Sequence, residues 1–177
     1  MKTSLLYGCI LTLASALFTL VMYFVGAHSD PEKMNSTALI GLLFYVVIGF
    51  TVIFLGMRAR RAELPADQGF SYGQALGTGV LIALVAAVTG TIFQYLYENF
   101  INTNFVEVQN QAQALKMAAK GMSDAMIEKN QAMMKKFSSP LIRSGFTLVF
   151  IFIFTFIYSL VAAAFNTRRD PNEATTL

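Results

Sequence analysis

Four stretches of this chain run without a single Asp, Glu, Lys, Arg or His for as long as a helix needs to cross a bilayer: Thr3–Ala27, Ser36–Met57, Ser71–Tyr97 and Ser144–Phe165. A hydrocarbon layer about 30 Å thick takes roughly 20 apolar residues of helix. Each stretch also stops where an ionisable residue begins. His28 follows the first, Arg58 the second and Glu98 the third, while Arg143 precedes the fourth. Buried charge at mid-bilayer costs at least about 2.5–3.5 kcal/mol, which explains such boundaries. The pattern predicts an all-α integral membrane protein with four transmembrane helices.

Composition agrees with that class. Only 13% of the 177 residues are charged, roughly half of what a soluble domain carries. The net charge is +3, with basic residues grouped beside apolar runs. That grouping fits the lipid bilayer as partner and argues against nucleic acid, which would need a basic stripe on a polar fold. The single cysteine, Cys9, sits inside the first stretch and excludes an internal disulfide. The first stretch is longer than the 7–15 residues of a signal core, so it reads as a retained helix.

One sizeable region, residues 98–143, lies outside the spans. Asn104 is placed to cap a helix there. After it Phe105, Val108, Ala112, Leu115 and Ala119 recur at three- and four-residue steps, the mark of one apolar helix face. Gly121 is a natural stop. Ser123 or Asp124 can cap a second helix, in which Met122, Met126, Met133 and Phe137 continue the stripe. The expectation is an amphipathic helical hairpin outside the membrane between the third and fourth spans. Its candidate partner-contact residues are Phe105, Val108, Leu115, Met122, Met126 and Met133. Met122 and Met126 are also one helical turn apart, which Cu(I) would accept, although soft apolar packing is the commoner use of methionine. No cofactor is expected. The interleaved lysines suit a membrane-surface helix.

Within the spans the informative residues are small. Gly79, Ala83, Ala87 and Thr91 repeat every four residues in the third span, preceded by Gly73 and Gly77. Thr147, Thr155 and Ser159 share a face of the fourth. Small residues let helix backbones approach closely in lipid, so these positions are expected to form the seam between the two spans, with Ala86 off that seam. A second copy or another membrane protein is the other occupant such faces accept. Arg58, Arg60, Arg61, Arg168 and Arg169 are expected to anchor one end of the bundle to headgroups. Together with Lys2 they are denser in sequence than Lys33, Lys116, Lys120, Lys129, Lys135, Lys136 and Arg143 on the other side. The density of basic residues predicts cytoplasmic termini.

No nucleophile–base pair, metal motif or phosphate loop can be assembled, and the lone His28 reads as a solvated interfacial residue. The chain is therefore expected not to be an enzyme. It reads as a scaffold or accessory subunit, with a passive channel or small-solute transporter formed by an oligomer as the alternative. Spans without ionisable groups argue against ion-coupled transport.

One segment carries a family resemblance. Gly56-Met57-Arg58 leads through Arg61-Ala62-Glu63 to Gly69-Phe70-Ser71-Tyr72-Gly73-Gln74-Ala75, with Gly77 and Gly79 beyond. Tyr95-Leu96-Tyr97-Glu98-Asn99-Phe100-Ile101-Asn102 then closes the third span. This resembles the bacterial four-helix membrane proteins of domain-of-unknown-function family 4199. The family pattern often has Pro after the Ile-Asn pair, where Thr103 and Asn104 stand here. The resemblance implies a bacterial cytoplasmic membrane and no chemistry. In that setting Phe70 and Tyr72 are expected in one interfacial belt and Tyr95 and Tyr97 in the other.

Overall fold

Local sequence chemistry sets the start and stop of each helix. The computed structural model describes residues 1–65 and 67–168. Its helices are α1 (Lys2–Phe24), α2 (Pro31–Ala62), α3 (Tyr72–Leu96), α4 (Phe105–Ala119), α5 (Asp124–Lys136) and α6 (Pro140–Phe165). A π-turn, Tyr97–Ile101, prolongs α3. Four of these elements, α1, α2, α3 with its π-turn, and α6, are long and apolar enough to cross a membrane. No strand is present among the described residues, only an isolated antiparallel bridge between Phe70 and Arg168.

Both glycine stops work by the same geometry. Gly26 and Gly121 take φ of 78° and 77°, a left-handed conformation that costs glycine little. After α1, Gly26 N–H donates to Tyr23 O and Ala27 N–H to Met22 O. After α4, Gly121 N–H donates to Ala118 O and Met122 N–H to Met117 O. These paired bonds satisfy carbonyls that the helix end would leave bare. At the opposite kind of terminus, Asp30 accepts from the N–H groups of Glu32 and Lys33 at 2.8 and 3.1 Å, and Pro31 takes the first helical position of α2. That cap lets α2 begin at Pro31, ahead of the uncharged stretch from Ser36. Ser71 and Gln74 form a reciprocal capping box at the start of α3, which satisfies two otherwise orphaned donors.

α3 is the central helix, touching α1, α2 and most extensively α6. Close approach at glycine makes this possible. A β-carbon added at Gly79 would meet Met57 and would lie 2.7 Å from the Ser159 side chain. At Gly56 it would lie 2.6 Å from Ile82. Around these contacts Ile53, Met57, Phe70, Ala75, Ile82, Ala162 and Ala163 form the main core. Hydroxyls bind helices in pairs: Thr12 and Thr89 are 2.6 Å apart between α1 and α3, and Thr19 and Tyr45 3.0 Å apart between α1 and α2. The outer surfaces remain apolar, with Phe146 and Phe150 of α6 each more than 60% exposed. Lipid covers such surfaces in a bilayer.

Candidate functional site

The two ends of the bundle are built differently. At one end the chain start, the α2–α3 loop and the exit of α6 meet. Thr3 donates its hydroxyl to Glu63, which also pairs with Arg60 at 2.7 Å. These two partners, Thr3 first, hold the Glu63 carboxyl below its usual range. Arg168 donates to Pro65 O at 2.6 Å and to Gln68 O at 2.9 Å. Its backbone exchanges two 2.8 Å bonds with Phe70, and Arg61 reaches Asn166 O at 3.5 Å. Of the residues expected to hold headgroups, Arg60, Arg61 and Arg168 thus have internal partners, and Arg58 is exposed. Arg169 lies outside the described residues. Phe70 is 2% exposed and belongs to the core, not to an interfacial belt, because the Phe70–Arg168 bridge folds the loop over it.

At the other end, two polar networks fasten α3 to its surroundings. Tyr97 is fully buried. Its hydroxyl lies 2.8 Å from Nδ1 of His28 and accepts from Nδ2 of Asn102 at 3.1 Å. The same Asn102 amide donates to His28 O at 3.1 Å. The imidazole stands edge-on to the rings of Tyr97 and Phe105. His28 is therefore a packed, bonded residue and not a solvated one, and burial pushes its pKa below the ordinary value of 6.5. The π-turn supplies this geometry by bringing Asn102 N–H onto Tyr97 O at 2.7 Å. Such insertions recur at functional sites. Tyr97 is consequently withdrawn from the belt, whereas Tyr72 and Tyr95 remain about two-fifths exposed.

The second network joins the ionisable residues that bound the third and fourth spans. Arg143 donates Nε to Glu98 Oε2 at 3.1 Å and Nη2 to Oε1 at 2.9 Å. Gln94 donates to Glu98 at 2.8 Å, and Gln109 of α4 accepts from Arg143 at 3.1 Å. The Glu98 and Arg143 side chains are 10% and 20% exposed. A two-pronged, largely dry pair of this kind fixes geometry as well as charge. The sequence held the signal for it: opposite charges stop two spans at the same end.

Above these networks lies α4, with α5 folded against it. Val108 and Ala112 are buried, and Asn35 of α2 donates its amide to Ala112 O at 2.8 Å. That bond occupies the Asn35 amide. The apolar stripe expected for partner contact is thereby divided. Phe105, on His28, and Val108 are covered by the protein itself, and Met122 is half-buried. Leu115, Met126 and Met133 are 44%, 56% and 54% exposed. Pro31, Gln111, Leu115 and Ile127 help line a cleft of about 390 Å³ between α2, α4 and α5. Asn104 stands at the start of α4 without a side-chain capping bond.

The small residues of the spans divide as well. Gly79, Ala83 and Ala87 of α3 are buried, as are Thr155 and Ser159 of α6. Thr147 and Thr91 are half-buried, and the Thr91 hydroxyl finds no partner among the described residues. Gly73 and Gly77 are exposed, and an added β-carbon would meet nothing closer than 3.9 Å at either. They face outward from α3, whose inner side is already packed at this level through Ala75 and Thr78. Ala86, expected off the seam, is 2% exposed and packs with Leu11 of α1 and Val52 of α2. A central helix has more than one packed face.

A family profile described as Protein of unknown function (DUF4199) matches residues 6–168. The chain belongs to this family. The match takes in most of α1, all of α2, α3 and α6, and both polar networks. No curated protein and no solved structure matches the chain.

Proposed function

We propose that this DUF4199 protein is a non-enzymatic scaffold or accessory subunit of a bacterial cytoplasmic membrane. Its working surface is the α4–α5 unit. The observation that supports this reading is the exposure of Leu115, Met126 and Met133 on two helices that are not among the four long spans. Apolar side chains on the long helices have lipid to cover them; an apolar face outside the spans needs a cover as well, and at Leu115, in the cleft between α2, α4 and α5, a partner segment can supply it. The unit is also held in place, by Val108 and Ala112 against α2 and by Gln109 on Arg143. A surface fixed on rigid supports can present the same contact to a partner each time.

A photocrosslinking residue at Leu115, read in native membranes, tests the reading. It should give a discrete adduct; the same residue moved to Gln111, one turn away on the same cleft, should give that adduct too, and there Leu115→Glu with Met126→Glu should remove it while the chain inserts at the wild-type level. A chain in which a short flexible linker replaces residues 106–136, and which still restores wild-type behaviour to a deletion strain, would overturn the proposal.

A further inference from the structure

We infer that α5 lies in the membrane interface and buries its Met126–Met133–Phe137 edge in the same bilayer that the long helices cross. This rests on α4–α5 being the working surface and names what covers its outer half. Three observations lead there.

The first is the distribution of side chains around α5. At about 100° per residue, Met126, Met133 and Phe137 fall within about 40° of one another. All three are more than half exposed. Lys129 and Lys136 lie along one margin of this edge, while Asp124 and Glu128 fall on the opposite side of the helix. Ile127 turns the other way, into the cleft beside Leu115. An interfacial helix needs this order, with apolar groups toward the acyl chains, lysine stems alongside reaching up to the headgroup phosphates, and carboxylates in water.

The second is depth. The Phe137 ring stands edge-on to Phe146 of α6, with centroids 6.2 Å apart. Phe146 is one turn past Arg143, about 4.5 Å further along α6 from the Glu98–Arg143 pair. A charged pair marks the membrane boundary, so the C-terminal end of α5 folds back to the level of the first acyl layer.

The third is continuity. Phe146 is 62% exposed, and Ile142, Val149 and Phe150 beside it are exposed as well. The apolar edge of α5 therefore runs directly into the lipid-facing surface of α6 without a polar break between Phe137 and Phe146. A soluble partner on the α5 edge would have to share this surface with lipid, whereas the bilayer covers both at once.

The chain contains no Trp, so single tryptophans report directly on their surroundings. The full chain should be placed in phosphatidylcholine–phosphatidylglycerol vesicles with Trp introduced at one position at a time. Met133→Trp and Met126→Trp should emit at blue-shifted wavelengths and be quenched several-fold more by bromine on the lipid chains than Glu128→Trp. Glu128→Trp should instead be the one quenched by aqueous iodide. Phe150→Trp provides the lipid-facing reference. Iodide quenching of Met133→Trp equal to that of Glu128→Trp would overturn the inference by placing the edge in water. Shielding from both quenchers would overturn it too, by showing that protein covers the edge. The vesicles contain no partner protein, so either failure leaves the crosslinking and deletion tests of the scaffold reading standing.

Discussion

At Gly79 a methyl group has nowhere to go, because Met57 and Ser159 already occupy its space. Gly79→Ala should therefore cost about 1–3 kcal/mol through overpacking and lower the thermal midpoint in detergent. Gly77→Ala, two residues away in open space, should be neutral or stabilising by up to about 1 kcal/mol, since alanine is the better helix former. Equal losses at the two positions would remove the argument for a specific close approach. His28 gives a second prediction at this scale. With the ring neutral and its proton on Nε2, the Tyr97 hydroxyl donates to Nδ1 and accepts from Asn102, so it is satisfied both ways. Protonation turns Nδ1 into a donor and leaves the buried Tyr97 hydrogen without its acceptor. Of the nearby charges, Asp30 is committed to the start of α2 and Glu98 to Arg143, and Lys33 would repel an imidazolium. Burial lowers the folded pKa below 6.5, so the unfolded chain binds more protons there. Stability should be complete above that value and fall as pH drops from about 6.5 toward the depressed folded pKa. His28→Gln should flatten the dependence of the midpoint on pH between about 7.5 and 5. An unchanged slope would show that His28 does not cause it.

The long helices were legible in the sequence because lipid imposes one strong rule on them, the absence of charge. Their ends were less so. α2 begins at Pro31 because the Asp30 cap outweighs the polar residues that follow, and α3 continues through a π-turn that no periodicity announces. Belt positions were misread where tertiary contacts decide: Phe70 and Tyr97 have the same side-chain character as the exposed Tyr72 and Tyr95, yet a bridge and a hydrogen-bond network bury them. The stripe along α4 and α5 was visible in the sequence, but which part α2 covers depends on the Asn35–Ala112 bond. The best test at this scale is the join between α3 and α6. Arg143→Met strands the Glu98 carboxylate at a site that is 10% exposed, and breaking such a pair costs about 3–5 kcal/mol. Glu98→Gln combined with Arg143→Met should recover part of that loss, because no bare charge remains. A double variant no more stable than Arg143→Met alone would show that the residues do not act as a pair.

Taken whole, the molecule has two unlike ends, and its orientation in a membrane is a single binary choice. Thr3 on Glu63 and Phe70 on Arg168 tie the chain start, the α2–α3 loop and the exit of α6 into one end. The His28 and Arg143 networks, with α4 and α5, form the other. No segment can be placed on the opposite side without moving the rest of its end. Arg58, Arg60, Arg61 and Arg168 cluster at the first end, and basic residues close to span ends favour the cytoplasm. Internal bonds to Glu63, Pro65 and Gln68 do not remove those positive charges from that side; they fix where the charges stand. The expected outcome is that α4–α5 faces outward. In a Cys9→Ser background, Ser123→Cys should react with a membrane-impermeant thiol reagent in intact spheroplasts, and Gln68→Cys should react only after the membrane is opened. Because each end moves as a unit, the two readings must reverse together. The opposite pair of results would invert the orientation and place the α4–α5 surface in the cytoplasm, while labelling of both positions in intact cells would show that the chain inserts in both orientations.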